Sequence, residues 1–140
     1  MISGVDSVIG RIRATLEEQG LADNTVIIFM GDNGYFLGDR GYADKWLMYE
    51  QSIRIPMIIY DPRQPKTNRG KIYDEMVLNV DVTPTILKLA GLDIPARYQG
   101  ESLTSFYQGR PKNWRNAIFC EHRLEGNPLL LKTECYRDDT

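Results

Sequence analysis

The sequence is poor in the features that mark several common classes of protein. Acidic residues outnumber basic ones, with 19 Asp and Glu against 17 Lys and Arg in 140 residues. The formal net charge of -2 gives no broad positive field, so we expect no nucleic-acid partner. No apolar run approaches the ~20 residues that cross a bilayer, so we also expect no membrane span.

Histidine and cysteine are scarce as well, which limits metal and redox chemistry. The chain has one histidine, His122, and two cysteines, Cys120 and Cys135. The cysteines have neither the CxxC spacing nor the neighbouring histidines of a zinc site. Their separation is compatible with a disulfide, although two free thiols are the more typical arrangement. The GxxxxGK[ST] and GxGxxG phosphate loops are missing too, and no Ser, Cys or Thr stands in a nucleophile elbow.

The first thirty residues read as a helix followed by a buried strand. Five apolar residues at helical spacing predict an amphipathic helix over residues 3–19. Gly20 stands where such a helix usually ends, and Ser3 with Asp6 resembles a capping box at its start. Residues 25–30, TVIIFM, are apolar and β-branched, which predicts a strand buried on both faces of a parallel sheet. This order of elements indicates an α/β fold.

The rest of the chain is predicted to alternate short strands and short helices. Its predicted elements are a strand over residues 55–60, an extended segment over 76–80, a helix with Thr83 and Pro84 at its start and Gly91 at its end, a short helix over 103–107, and a strand over 117–121.

A glycine-rich loop follows the first predicted strand. Residues 31–45, GDNGYFLGDRGYADK, contain four glycines and no sustained apolar period. Ligands of open α/β sheets bind outside the carboxyl ends of the strands, so this loop is a candidate site. Asp32 and Asn33 offer oxygen ligands of the kind that Ca²⁺ or Mg²⁺ prefers. Taken alone, however, Asp-Asn-Gly is more typical of a turn.

Three other side chains are candidates for site chemistry. Lys45 could fold back towards an anion at the strand end, and Arg40 could offer a planar fork to a tetrahedral oxyanion. Taken alone, both are more typical of exposed loop residues. His122 is the only histidine, and a lone histidine at a strand end is more often structural. These residues by themselves leave the function open.

Several motifs follow one another in a definite order along the chain. Residues 24–62, NTVIIFMGDNGYFLGDRGYADKWLMYEQSIRIPMIIYDP, are similar to the carboxy-terminal half of the catalytic domain of the sulfatase family. The residues before this stretch, from position 2, resemble the helix that precedes it in the family. The family's Asp-x-x-Pro-Thr-x-Leu segment is similar to VDVTPTILKLAGLDIP, and its Gly-x-Ser-Leu stretch is similar to QGESL. Residues 118–137 are similar to the strand and loop that lead into its carboxy-terminal subdomain. Spaced motifs in order are far more specific than any one of them.

The resemblance implies a fold and a set of site residues. The fold is a partial alkaline-phosphatase-like α/β/α sandwich, with residues 1–106 as the carboxy-terminal part of the catalytic domain and 107–140 as the truncated start of a small carboxy-terminal subdomain. By the same resemblance, Asp32 and Asn33 bind Ca²⁺, and Lys45 contacts the sulfate and takes part in catalysis. Arg40 is expected to contact the substrate as well. It departs from the family pattern, because many relatives have histidine at this position.

The implied reaction is hydrolysis of a sulfate ester with a calcium ion and a formylglycine made in a Cys/Ser-x-Pro-x-Arg motif. That motif and the family's amino-terminal Asp-Asp ligands are absent from the 140 residues. We therefore expect this chain alone to be inactive. Because a partial sheet leaves a strand edge unpaired and an apolar face uncovered, we also expect the isolated chain to self-associate or to be unstable.

The expected partner is a sulfated small molecule or carbohydrate. A periplasmic, secreted or lysosomal location is compatible with the resemblance, which selects none of them. Two alternatives stay open, namely a phosphodiesterase or phosphonate hydrolase of the same superfamily and a non-catalytic fragment.

Overall fold

The computed structural model describes residues 2–122 and 132–138, which divide into two compact units. Unit 1 comprises Met1–Met30 and Pro56–Arg69, and unit 2 comprises Gly31–Ile55 and Gly70–Thr140. The predicted boundary between residues 106 and 107 falls inside unit 2 and stays a prediction. Part of the predicted strand-and-loop segment, residues 123–131, lies outside the described residues.

The described residues form three α-helices, six strands and five 3₁₀ turns. The helices are α1 (Ile2–Glu18), α2 (Glu50–Ile53) and α3 (Val82–Leu89). The strands are β1 (Ile27–Met30), β2 (Phe36–Leu37), β3 (Ala43–Asp44), β4 (Met57–Tyr60), β5 (Ala117–His122) and β6 (Thr133–Asp138). The 3₁₀ turns are Ala22–Asn24, Asp39–Gly41, Lys66–Asn68, Asn79–Asp81 and Leu103–Gln108.

Unit 1 begins with the predicted amphipathic helix, which α1 confirms. Gly20 ends it with φ +65°, and the amides of Gly20 and Leu21 donate back to the last turn in a Schellman arrangement. The predicted capping box is wrong, because Ser3 already lies inside the helix and its carbonyl accepts a bond from the Ser7 hydroxyl.

The apolar side of α1 is open in the described chain. None of the helix is buried, and Ile2, Val5, Val8 and Ile12 are 88%, 49%, 44% and 51% exposed. An amphipathic helix of a globular protein normally turns such a stripe towards a core. Among the described residues, no helix is long and apolar enough to cross a bilayer.

The two strands of unit 1 pair with each other in antiparallel fashion. Ile27 lies opposite Tyr60 and Met30 opposite Met57. Both strands were predicted. The prediction that β1 pairs with a parallel strand is wrong for its pairing with β4, which is antiparallel. Residues 31–56, which connect them, form β2, β3, a 3₁₀ turn and the four-residue helix α2 instead of the longer helix that usually joins parallel strands.

The glycine-rich loop folds in unit 2 around one buried phenylalanine. β2 and β3 form a short antiparallel ladder with Phe36 opposite Asp44. Phe36 is fully buried, and the rings of Tyr42 and Tyr49 meet it edge-on at centroid distances of 5.7 and 6.1 Å. The predicted loop is therefore held by an aromatic cluster. A ladder of two residues is too short to show an alternating pattern in the sequence.

Helix α3 and its flanking 3₁₀ turns form the centre of unit 2. α3 begins one residue before the predicted start at Thr83, and Gly91 follows it with φ +73° as predicted. The predicted short helix is the 3₁₀ turn Leu103–Gln108. Of the extended segment predicted over residues 76–80, Leu78 has an extended backbone, but the prediction is wrong from position 79, where the 3₁₀ turn Asn79–Asp81 begins. The Asp81 amide closes this turn by donating to the Leu78 carbonyl at 3.0 Å, and the Leu78 amide donates to the Asp81 carboxylate.

Strands β5 and β6 form an antiparallel hairpin in unit 2. β5 was predicted and β6 was not. Cys120 and Cys135 lie directly opposite each other in this ladder as free thiols. Burial raises the pKa of the Cys120 thiol, and the neighbouring Cys135 adds to the effect.

Candidate functional site

The structure brings two predicted site residues, Asn33 and Lys45, into direct contact. The Lys45 ammonium donates to Asn33 Oδ1 at 2.9 Å. Asn33 Nδ2 donates to the Gly34 carbonyl at 2.8 Å, which orients the amide so that Oδ1 faces the lysine. Both side chains are half-buried. The loop thus places a cationic donor and an amide oxygen at one point.

Asp32 precedes this pair in the chain and is exposed. Over residues 2–122 and 132–138, it makes no hydrogen bond or ion pair, and no cluster of three or more His, Cys, Asp or Glu could hold a metal. Asp32 and Asn33 are hard oxygen donors, and Asn33 Oδ1 already faces a positive charge. They fit one side of a cation site, since Ca²⁺ takes ~6 to 8 oxygens in all.

Lys45 lies between two residues with strained backbones. Asp44 has φ +75° and Trp46 has φ +85°, a region that L-residues rarely adopt. Each such residue costs on the order of 1–3 kcal/mol and persists only where its surroundings hold it. The Lys45 amide donates to the Asp44 carboxylate at 2.9 Å, which holds the first of them. Strain of this kind clusters at functional sites, so it marks Lys45 independently of its charge.

The second strained residue, Trp46, is held by the β5–β6 hairpin. The Thr133 hydroxyl donates to the Trp46 carbonyl at 3.3 Å, and the His122 ring lies 4.9 Å from the indole between centroids. The Lys45 ammonium lies 5.3 Å from the same indole centroid. His122 Nε2 is buried and has no hydrogen-bond partner among the described residues. Sequence reasoning missed Trp46 and Thr133, because no spacing relates one position to the other.

Arg40 lies over an aromatic ring instead of joining the pair. Its side chain is exposed, with its guanidinium carbon 5.3 Å from the Tyr49 ring centroid. In the described chain, no hydrogen bond or ion pair joins Arg40 to Asn33 or Lys45. Its predicted contact with substrate therefore stays a prediction.

Gly34 fixes the loop against helix α2. Its amide donates to the Ser52 carbonyl at 2.8 Å. A Cβ atom at position 34 would lie 2.1 Å from the Gln51 carbonyl oxygen and 2.9 Å from that of Arg54. Only glycine fits so close an approach, and this contact sets the position of the neighbouring Asn33.

A second polar cluster, centred on Asp81, anchors the fold of unit 2. The carboxylate is fully buried and accepts bonds from the Leu78 and Glu101 amides and from both terminal nitrogens of Arg115. The Thr85 hydroxyl donates to the Asp81 carbonyl at 2.6 Å. These bonds join the Asp-x-x-Pro-Thr and Gly-x-Ser-Leu motifs. They use about all the ~4 lone-pair sites of the carboxylate, so Asp81 has none left for a ligand.

A cleft of about 780 Å³ opens elsewhere in unit 2, between the β5–β6 hairpin and residues 74–76 and 110–116. None of the predicted site residues lines it. Its charges pair with each other, as Arg110 does with Glu75 and Arg137 with Glu50. The contact between Asn33 and Lys45 therefore lies outside this cleft.

Comparison with known proteins identifies the family. The family model described as N-sulphoglucosamine sulphohydrolase, C-terminal, matches residues 38–126. An arylsulfatase of Clostridium perfringens is 38% identical over 122 residues, which cover 86% of this chain and 25% of the relative. An N-acetylglucosamine-6-O-sulfatase of Bacteroides thetaiotaomicron is 39% identical over 121 residues, which cover 84% and 21%. The chain thus spans a quarter or less of the length of these two relatives.

Solved structures lead to the same family. A protein in complex with its substrate D-glucosamine-2-N,6-O-disulfate matches 98% of this chain and 28% of its own, with a TM-score of 0.88 and 34% identity. A second is a phosphonate monoester hydrolase of Agrobacterium radiobacter. This match covers 93% of this chain and 26% of the hydrolase chain, with a TM-score of 0.84 and 30% identity. These matches confirm the predicted alkaline-phosphatase-like α/β fold. The chain therefore belongs to the sulfatase family and corresponds to the carboxy-terminal portion of its catalytic domain.

Proposed function

We propose that this chain supplies the sulfate-binding lysine and part of a divalent-cation site to an enzyme that hydrolyses sulfate esters. The contact of 2.9 Å between Lys45 and Asn33 carries the proposal. Two residues that the family pattern assigns to the sulfate and to the cation lie together, and both are half-buried. The strained backbone on each side of Lys45 supports the same assignment.

Lys45 binds the sulfate group and stabilises the charge that develops on it. Its half-buried ammonium acts in surroundings where charges interact more strongly than in bulk water. As the ester bond breaks, negative charge grows on the leaving oxygen and the sulfate, and the ammonium neutralises it. A cation bound at Asn33 Oδ1 would repel the ammonium that now contacts this oxygen, so Lys45 is available to sulfate in the cation-loaded protein.

Asp32 and Asn33 hold the cation, which we take to be Ca²⁺ because both side chains are hard oxygen donors. When bound, such an ion supplies Lewis-acid polarisation of the sulfate oxygens. The other ligands and a formylglycine nucleophile come from parts of the enzyme outside these 140 residues. Arg40 is a further candidate for substrate binding, since its exposed guanidinium is free to offer a fork to an oxyanion.

The site is tested by substitution in the longest natural form of the protein. We expect Lys45→Met to lower kcat/KM for a sulfate ester by about 10²- to 10³-fold, which is the usual effect of removing one electrostatic stabiliser. We expect a comparable loss for Asp32→Ala, partly restored by excess Ca²⁺. Lys88→Met is the matched control, since Lys88 is exposed on α3. Near-full activity of a folded Lys45→Met protein would contradict the assignment.

We propose a sulfated amino sugar as the substrate. One structural neighbour was solved with D-glucosamine-2-N,6-O-disulfate, and one relative is named an N-acetylglucosamine-6-O-sulfatase. We expect higher kcat/KM for glucosamine sulfated at 6-O or 2-N than for an unrelated aryl sulfate. Equal rates on all three would count against a sugar-specific enzyme while leaving sulfate hydrolysis in place.

A phosphonate monoester hydrolase is the second candidate, because the Agrobacterium radiobacter enzyme matches this chain with a TM-score of 0.84. Sulfate and phosphonate monoesters share a tetrahedral anionic centre, so Lys45 and the cation ligands suit both. Matched aryl sulfate and aryl phosphonate esters separate them. We expect the sulfate to be the better substrate, and a preference for the phosphonate would favour the second candidate.

The chain of 140 residues by itself serves as a further test. It offers two candidate cation ligands against the ~6 to 8 that Ca²⁺ takes, and it lacks the formylglycine motif. We expect no turnover of aryl sulfate above the blank with Ca²⁺ present. Turnover that disappears in Lys45→Met would show that this chain is catalytically sufficient.

A further inference from the structure

We propose that the end of the β5–β6 hairpin positions Lys45, with His122 and Thr133 as the positioning residues. These two residues form the last pair of the ladder, opposite each other. The catalytic consequence of this inference rests on the proposed function of Lys45. The contacts between the hairpin and the lysine segment do not depend on that function, because they hold the segment whatever the ammonium binds.

Three contacts connect the hairpin to the residues that follow Lys45. The Thr133 hydroxyl donates to the Trp46 carbonyl at 3.3 Å, and the His122 ring packs on the indole at 4.9 Å. Further along the hairpin, Arg137 forms an ion pair with Glu50 at the start of α2. The segment from position 46 to position 50 is therefore held at both ends by one hairpin.

Trp46 is the residue through which this contact reaches the lysine. Its φ of +85° places a bulky side chain in a region that is a genuine outlier for such residues. A conformation of this kind relaxes when its supports are removed. Relaxation at Trp46 would turn the peptide that joins it to Lys45, and the ammonium would leave Asn33 Oδ1.

The His122 contact depends on the shape of the ring and not on its nitrogen. Nε2 has no hydrogen-bond partner among the residues that the structure describes, although it is buried. Phenylalanine offers a flat ring of similar size without that unpaired atom. His122→Phe should therefore preserve the packing on Trp46, whereas His122→Ala removes it.

The first measurement is the acylation rate of Lys45 in the full chain, which requires no catalysis. The chain is treated briefly with an amine-acylating reagent, and each lysine is quantified by peptide mass spectrometry. Exposed Lys88 is the internal reference. We expect Lys45 to react several-fold faster in His122→Ala and in Thr133→Val, because its pairing with Asn33 is lost. We expect the original rate in His122→Phe and Thr133→Ser, which keep the ring and the hydroxyl.

The second measurement is turnover in the form of the protein that hydrolyses sulfate esters. We expect His122→Ala and Thr133→Val to lower kcat by about 10- to 100-fold, as misplacement of a catalytic group does, with a smaller change in KM. His122→Phe and Thr133→Ser should retain most of the activity.

Each outcome decides between the proposals. Unchanged acylation of Lys45 in folded His122→Ala and Thr133→Val would overturn the positioning role. Faster acylation together with a fully active Lys45→Met would keep the positioning role and overturn the proposed function instead. Loss of activity in His122→Phe at an unchanged acylation rate would show that the ring nitrogen contacts substrate, which also overturns a purely positioning role.

Discussion

Asp81 is the residue whose buried carboxylate joins three separate segments of unit 2. It is fully buried, and its partner Arg115 has a side chain that is 15% exposed. Removing one member of a buried pair leaves the other charge uncompensated, which is far more damaging than losing a surface ion pair. The aspartate of the Asp-x-x-Pro-Thr motif is therefore an anchor of the fold of unit 2.

We expect Asp81→Asn to lower the free energy of unfolding by about 3–5 kcal/mol, because Arg115 would stay buried without its counter-ion. Urea unfolding followed by circular dichroism measures this change. Asp93→Asn is the control, since Asp93 is exposed and should change the free energy of unfolding by less than about 0.5 kcal/mol. Equal stability of the two variants would refute the anchoring role of Asp81.

The residues of the candidate site differ in how far the sequence could reveal them. Asp32, Asn33 and Lys45 stand in motifs that resemble a known family, although their types alone are typical of turns and exposed loops. Trp46 and Thr133 have no such signal. They meet across 87 positions, and the strained φ of Trp46 is a property of the backbone that no residue type announces.

The connection between β1 and β4 shows why individual elements were predicted better than their pairing. Apolar runs identified both strands, and helical spacing identified α1. The direction of pairing depends on the path of residues 31–56, where an aromatic cluster around Phe36 and a four-residue helix replace a crossover helix. Strand β6 was missed because TECYRD carries charged residues at three of its six positions.

Gly34 predicts how helix α2 and the site loop depend on each other. A methyl group at this position would lie 2.1 Å from the Gln51 carbonyl oxygen, so Gly34→Ala must push the loop away from α2. We expect a loss of stability of at least about 1–3 kcal/mol, the usual range for overpacking, and faster acylation of Lys45. Thermal unfolding and lysine mapping measure the two effects.

The matched substitution for Gly34→Ala is Gly4→Ala, where nothing lies within 4 Å of the added Cβ atom. Because alanine is the better helix former, this change should stabilise α1 by about 0.5–1 kcal/mol. A destabilising Gly4→Ala, or a Gly34→Ala chain as stable as the original, would contradict the packing described.

The β5–β6 hairpin makes a prediction about thiol reactivity. Burial raises the pKa of Cys120, and the thiolate is the form that reacts with iodoacetamide. A raised pKa leaves less thiolate at a given pH. The alkylation rate of Cys120 should therefore rise with pH, and the pH at half of the maximal rate should be higher in the folded chain than in concentrated urea. Rates measured by mass spectrometry across a pH series test this. A midpoint in the folded chain at or below that in urea would rule it out.

At the scale of the whole molecule, the open apolar side of α1 is the main liability. The isolated chain presents Val5, Val8 and Ile12 to water at about half their full exposure. Contiguous exposed apolar surface favours association. The matched residues cover only 25% and 21% of the two relatives described, so further chain is available in them to cover such a face.

We expect the chain of 16.1 kDa to sediment above its monomer mass as its concentration rises. Ile12→Lys places a charge on the apolar side and should shift the distribution towards monomer. Ala14→Lys adds the same charge near the opposite side of α1 by helical spacing and should leave association unchanged. A stable monomer for the unmodified chain at all concentrations would disprove this role of the helix face.

The bonds of Asp81 also set an order of events during synthesis. The Glu101 amide and the Arg115 guanidinium lie 20 and 34 positions after it, so both leave the ribosome later than the carboxylate that they satisfy. Until Arg115 emerges, burying Asp81 would strand a charge, and the region of α3 has to remain hydrated and undocked. We therefore expect proteases and chaperones to reach α3 in a nascent chain whose Arg115 has not yet left the ribosome, and this part of the fold to close once that residue has emerged.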